Sequence, residues 1–353
     1  MLARASGEQT EAREASITIL QEALDGLKLY HKSHFSSYER KMIKISMHKG
    51  TNLLGTQEWC RRDKNCIVLV PSLINTWRIF DIEENHSFAA YLAGKNLQPI
   101  IVDWALPHVG NTPDMDDYIV DHLAPLLRQL RDDGYHIRGI AGYCMGATML
   151  SALASACPDI YEDIGKTVLI AGPWGFDYQS PEQYVRLQAV GTQAVNIANA
   201  ANGIVPVDFV QSLFWAIDPL QFLRKFRKFR SLDQKSAQAR RFVRVEDWLN
   251  DGRKVTGKVA SLCLYDWYKN DLPAKGRWIV DHAVVDPAFI PGDVMVVWGM
   301  RDNLVPMVSV KKILDYLPHA KTMALDTGHI GLMASDRAPE NLWKAVAEFV
   351  NSA

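Results

Sequence analysis

An α/β fold built on a mainly parallel sheet is predicted by three features of this 353-residue chain. Short runs of branched apolar residues recur along it, helical stretches separate them, and a Gly-Tyr-Cys-Met-Gly pentapeptide at 142–146 follows one such run. Cys66–Val70 and Pro99–Val102 are the first two runs, with a helical stretch between them, as neighbouring parallel strands require. Ile137–Ala141 reads as the next buried strand and Ala147–Ala154 as the helix that follows it. Thr167–Ala171, Gly292–Trp298 and Thr322–Leu325 complete the series of strands.

The pentapeptide places Cys144 where a serine nucleophile would stand on a strained strand-to-helix turn. A buried structural cysteine between two chance glycines is the plain alternative, so the rest of the chain decides. Gly299-Met-Arg-Asp302-Asn-Leu-Val-Pro306 is a polar loop just past the late strand, and Asp-Thr-Gly-His329-Ile-Gly follows the last one. The order nucleophile, acid, histidine is that of the α/β-hydrolase fold. A free thiol titrates near ~8.5, so an imidazole must take its proton and a carboxylate must hold that imidazole in the working tautomer. Cys144, His329 and Asp302 are therefore the candidate triad. The backbone N–H of Met145 would stabilise the oxyanion, and the Ile74 N–H, in the loop after the Cys66 strand, is the candidate second donor.

Composition suits a soluble enzyme. With 48% hydrophobic residues the chain can bury one large core and an insertion, and a net charge of −1 implies no general attraction to nucleic acid or anionic membrane. The N-terminus is polar and no apolar run reaches ~18 residues, so neither a signal peptide nor integral membrane association is expected, and the expected location is cytoplasmic. Cys60, Cys66, Cys144, Cys157 and Cys263 form no zinc-like spacing, so free thiols and no metal are expected. No GxGxxG follows a strand and no GxxxxGK[ST] occurs, so no nucleotide cofactor is expected.

Four regions follow. Residues 1–55 are expected to be helical, with Ile17, Leu20, Leu24 and Leu27 at helical spacing as the face that leans on the main domain. Residues 56–175 and 276–353 form the two parts of the core, and 176–275 is an inserted, mostly helical lid or cap over the nucleophile. Within the lid, Phe222, Phe226 and Phe229 make one stripe, while Arg224, Lys225, Arg227, Lys228 and Arg230 fill the remaining faces. A solvated basic face over a core-facing aromatic seam is the simpler reading, and a site for the phosphates of a coenzyme A substrate is the sharper one. Trp248 and Trp267 read first as lid packing.

Several motifs together resemble the polyhydroxyalkanoate synthase family, in particular its short, class III-like catalytic subunits. These are the cysteine box at Gly142–Gly146, Val70-Pro-Ser-Leu-Ile-Asn75, Asp103-Trp104 with Pro107, Asp116-Asp-Tyr-Ile119, the segments around Trp248 and Asp266–Asp271, Asp302 and His329. The resemblance spans residues 65 to 335, with Ala147 where the family usually has a further glycine and Asn303 where a histidine commonly follows the acid. It implies transfer of 3-hydroxyacyl groups from coenzyme A thioesters to a growing polyester through a Cys144 thioester, with no cofactor. Asp302 would then orient His329 or help activate the attacking 3-hydroxyl, and Trp248 would lie near the active centre. A homodimer, a separate synthase partner subunit and a place at the surface of polymer granules are also implied. A hydrolase with the same triad, acting as depolymerase or thioesterase, is the rival enzyme, and a non-catalytic granule- or partner-binding relative is the rival from another class.

Overall fold

The computed structural model describes the chain apart from residues 1, 34, 36, 37, 178–184, 186–188, 190, 194, 195, 197, 199, 201, 202, 219 and 353, and describes backbone alone at 2–12 and 213–217. Its frame is an eight-stranded sheet: β1 Ile43–His48, β2 Thr51–Gly55, β3 Asn65–Val70, β4 Gln98–Asp103, β5 His136–Tyr143, β6 Lys166–Ile170, β7 Asp293–Gly299 and β8 Lys321–Leu325. The spatial order is β1-β2-β4-β3-β5-β6-β7-β8. Only β2 runs against its neighbours.

Alternation along these strands feeds two apolar layers, since successive side chains leave a strand on opposite faces. Val68, Val70, Ile100, Val102, Ile140, Val294 and Val296 enter one layer, with Leu126, Leu127 and Leu130 of α3 (Ala124–Asp132) and nearly all of α4 (Met145–Ala156). Ile67, Leu69, Ile101, Ala141, Met295 and Val297 enter the other, beneath α2 (Phe88–Ala93), α7 (His329–Ala334) and α8 (Lys344–Asn351). Met145 through Ala154 are all buried, so α4 is apolar around its whole circumference and runs through the core. Each large side chain it hides, such as Leu150 or Leu153, contributes about 1.5–3 kcal/mol.

The chain goes from β3 outward to β4, then returns across β3 to β5 on the other side. At that reversal the loops leaving the carboxyl ends of β3 and β5 part from each other, and the opening between them is where such sheets bind ligands. Cys144 follows β5 there.

The region between β6 and β7 carries helices at Val207–Ile217, Gln221–Arg230 (α5), Ala237–Asn250 (α6) and a π-helical stretch at Leu262–Lys269. Its opening, 178–202, lies largely outside the described residues. The aromatic seam of α5 faces inward: Phe226 and Phe229 are buried, and Phe229 stacks on Phe242 of α6 at 4.4 Å. Its cations form the expected solvated face, most of them also in ion pairs. Arg224 pairs with Asp218, Lys225 with Glu246 at 2.6 Å, and Arg227 and Arg230 with Glu22, which leaves Lys228 alone of the five without an acidic partner among the described residues.

Two expectations for the N-terminus need correction. Residues 1–55 are not helical throughout, because 43–55 supply β1 and β2; the alternation of Ile43, Ile45 and Met47 with Lys44, Ser46 and His48 is the strand signal. Helix α1 (Leu2–Lys32) packs on α5 of the inserted region and not through most of the expected stripe, since Ile17, Leu20 and Leu24 are exposed and only Leu27 of the four is half-buried. Contact is made instead by Ala23, Gly26 and Tyr30, with the Tyr30 and Phe226 rings 5.9 Å apart. Small residues win this face because the backbones approach closely: a Cβ on Gly26 would lie 2.0 Å from the Phe226 carbonyl oxygen. Alanine replacing glycine in a helix ordinarily stabilises by roughly 0.8–1 kcal/mol. Gly26→Ala is expected to do the reverse, costing about 1–3 kcal/mol from overpacking and exposing α1 to trypsin, as measured by urea unfolding and limited proteolysis.

Candidate active site

Cys144 sits between β5 and α4 with φ 56° and ψ −128°, a conformation rarely adopted by a residue with a side chain. Its backbone N–H donates to the Ile170 carbonyl at 2.9 Å and its carbonyl accepts from Ala147 N–H at 2.9 Å, so the turn is held on both sides. The flanking glycines have a tertiary reason. A Cβ on Gly142 would meet Ala147 Cα at 2.5 Å, and one on Gly146 would meet the Val70 and Pro71 carbonyl oxygens at 2.3 and 2.8 Å. They permit strand ends and helix to touch. Ala147, where a third glycine would be usual, is accommodated by Gly172, whose missing Cβ would lie 2.7 Å from the Ala147 Cβ.

Asp302 and His329 meet because the loops that carry them are sewn together. Met300 N–H donates to the Leu325 carbonyl at 2.8 Å and Arg301 N–H to the Thr327 carbonyl at 3.0 Å. Asp302 Oδ2 lies 2.7 Å from His329 Nδ1, while Oδ1 accepts from Leu304 and Val305 N–H at 2.9 and 2.8 Å. Both carboxylate oxygens are thus engaged, and with both side chains buried the pair is shielded from water. His329 is the first residue of α7 and not a mid-loop residue. Tyr143 fixes it from below: the phenol donates to the His329 carbonyl at 3.2 Å and its ring stands 5.0 Å from the imidazole.

The Cys144 thiol is within hydrogen-bonding reach of His329. Burial alone would push this imidazole down; the Asp302 carboxylate and then the Cys144 sulfur override it and hold His329 up at about 10. It is therefore a strong base for the thiol proton. Cys66 and Cys263 differ, since desolvation pushes both thiols up to about 12 and keeps them protonated.

Met145 opens α4, so its N–H has no partner one turn back and is available to an anion beside Cys144. The Ile74 N–H is not available in this way, which corrects the expected second donor: it donates to Ser72 Oγ at 3.1 Å. A serine two residues ahead of an amide forms this turn readily, and that local signal was present in Pro71-Ser-Leu-Ile74. Between them, the Leu73 N–H has no hydrogen-bond partner among the described residues, and Leu73 is 4% exposed. A buried, unpaired amide is rare in native structures, and this one lies in the loop that abuts the nucleophile turn.

Trp248 is buried in the apolar cluster that contains Tyr143 and against which Cys144 packs. Its indole N–H donates to the Thr76 carbonyl at 2.9 Å, so its polar edge ties α6 to the loop after β3. Trp267 packs with Phe176 and Trp278 at 5.9 and 5.1 Å. Asn303 donates to Asp218 of the inserted region at 3.2 Å. Among the described residues no cluster of His, Cys, Asp or Glu could hold a metal ion, and no helix is long and apolar enough to cross a membrane.

No protein-family model matches the chain. Among curated proteins it is similar to poly(3-hydroxyalkanoate) polymerase subunits PhaC from Haloferax mediterranei and Haloarcula marismortui, each 29% identical over 296 residues covering 80% of this chain. It spans only 58% and 60% of the lengths of those two relatives. The subunit from Synechocystis is 24% identical, with 81% of this chain and 77% of that protein covered. Among solved structures, a Bacillus megaterium epoxide hydrolase matches with a TM-score of 0.54 at 15% identity, covering 88% of this chain and 100% of that one. A Paleococcus ferrophilus monoacylglycerol lipase matches with a TM-score of 0.53 at 14% identity, over 88% and 98%. These structural likenesses establish the α/β-hydrolase fold.

A histidine raised by its partners stabilises the fold fully below its unfolded value near ~6.5, and that contribution is lost as pH rises through the folded value, here about 10. Asp302→Asn removes the main cause. The stability difference between the parent protein and this variant should shrink by at least about 1 kcal/mol between pH 7 and 10.5 in urea titrations, and a constant gap would contradict the pairing.

Proposed function

We propose that this chain, a homologue of the poly(3-hydroxyalkanoate) polymerase subunits, is an acyltransferase that moves 3-hydroxyacyl groups from coenzyme A thioesters onto a growing polyester through a thioester on Cys144. The observation that carries the reading is the arrangement at the end of β5: a cysteine at φ 56°, within reach of an imidazole that Asp302 holds at 2.7 Å.

In the proposed cycle His329 takes the thiol proton and the Cys144 sulfur attacks the thioester carbonyl carbon. Negative charge collects on the carbonyl oxygen, where the Met145 N–H and, in place of Ile74, the Leu73 N–H are the candidate donors. The tetrahedral species collapses as the bond to the coenzyme A sulfur breaks, and His329 returns its proton to that leaving group. One thioester has replaced another at little cost, so the acyl-enzyme stays activated. The 3-hydroxyl of a second acyl group then attacks, His329 takes its proton, an ester bond forms and the Cys144 sulfur leaves. With both Asp302 oxygens already bonded, its role in this scheme is to hold His329. Every proton transfer is served by His329, and no resident cofactor is called for.

A hydroxyl acceptor outcompetes water only while the covering region keeps the acyl-enzyme dry, so synthesis or hydrolysis turns on that cover and not on the sulfur nucleophile.

Incubation with 3-hydroxybutyryl-CoA should release coenzyme A continuously, with oligomeric esters forming and Cys144 acylated by mass spectrometry. Cys144→Ala should lower release by at least about 10³-fold. Release accompanied only by free 3-hydroxybutyrate would instead make the protein a thioesterase.

A further inference from the structure

The loop after β3 is held from three sides by groups that do not themselves face the reacting atoms. Within the loop, Ser72 Oγ accepts the Ile74 N–H at 3.1 Å and closes a tight turn around Leu73. From the inserted region, the Arg253 backbone N–H donates to the Ile74 carbonyl at 2.7 Å. The Arg253 guanidinium then reaches past the loop to the Trp104 carbonyl and the Asp103 carboxylate at the end of β4. Trp104 closes the circuit, donating its indole N–H to the Pro71 carbonyl at 3.0 Å. That same carbonyl presses against Gly146 on the nucleophile turn.

Each of these bonds restrains a peptide group on one side or the other of Leu73, a buried residue whose own N–H has no partner among the described residues. A loop that spends this many bonds to fix one amide, then gives that amide no partner, is arranged as a preorganised electrostatic site. Ser72 and the Arg253 side chain are each largely buried, so their bonds are shielded from competing water.

We propose that Ser72 and Arg253 are positioning residues for acyl transfer, fixing the Ser72–Ile74 turn so that the Leu73 N–H joins the Met145 N–H in binding the oxyanion. The proposal rests on the acyl-transfer reading above. It also gives the inserted region a part in the chemistry, because Arg253 belongs to that region and couples its seating to the geometry of the oxyanion site.

The test compares two reactions of Cys144 in the full-length protein. Alkylation by iodoacetamide displaces iodide at a saturated carbon and forms no oxyanion, whereas single-turnover acylation by p-nitrophenyl butyrate or 3-hydroxybutyryl-CoA does form one. Ser72→Ala and Arg253→Met are expected to slow acylation by about 10–100-fold, with KM changed less than about threefold and alkylation within about twofold of the parent. Ser72→Thr, which keeps the hydroxyl, should recover acylation to within about threefold. Unchanged acylation in both variants, or acylation and alkylation falling together, would overturn the positioning role. A parent protein acylated by the nitrophenyl ester but not by the coenzyme A thioester, with the split preserved, would reject the substrate class and keep the positioning role. A parent alkylated by iodoacetamide but acylated by neither donor would overturn both.

Discussion

The contact on which this active centre depends is the seating of the nucleophile turn against the end of β3. Cys144 occupies a backbone conformation that costs on the order of 1–3 kcal/mol for a residue with a side chain, and it persists only because its surroundings over-determine it. Gly146 lies directly on the Val70 and Pro71 carbonyls, Gly142 on Ala147, and the turn is bonded to the end of β6. Behind it, α4 is buried on every side, so the helix cannot shift to relax the strain. The thiol is held at the switch point of the sheet as a result, next to the loop after β3.

A second layer of constraint joins the core to the inserted region. Trp248 is tied to Thr76, Arg253 to Ile74, Asp103 and Trp104, and Asn303 to Asp218. Arg240 and Arg241 bind Glu83, and Arg241 also binds Asp336. These ties end on the loops after β3, β4 and β7, so the covering region and the catalytic loops are braced as one body. Exposed ion pairs contribute little individually, and it is the largely buried ones that cross between region and core, Arg253 with Asp103 and Arg241 with Glu83, that set the geometry.

Much of this was readable along the chain because it depends on local chemistry. The apolar runs of β3, β4 and β6 are strands buried on both faces, and such strands need no alternation to be recognised. The triad was legible from its order, since the fold delivers acid and histidine on successive strand-end loops. The N-terminal helix was legible as a helix but not in its packing: Ile17, Leu20 and Leu24 have the right period, yet Gly26 and Ala23 make the contact because closeness, not apolar area, decided it. The basic face and aromatic seam of α5 were legible in the same way, but not the partners of its cations, because Glu22 and Glu246 are brought to it by other helices.

The chain by itself pointed to the fold class and to a candidate nucleophile, base and acid, because these follow from periodicity, from the chemistry of a thiol and an imidazole, and from a fixed order along the sequence. Only the tertiary structure decided which backbone amide in the loop after β3 is spoken for and which is unpaired. The Ser72 hydroxyl that takes the Ile74 N–H is a local signal, but the arginine and the indole that hold the Ile74 and Pro71 carbonyls on either side of Leu73 come from distant segments. Hydrogen-bond partners that converge from segments some thirty to one hundred and eighty residues apart leave no periodic trace in the sequence, so that choice exists only once the chain has folded.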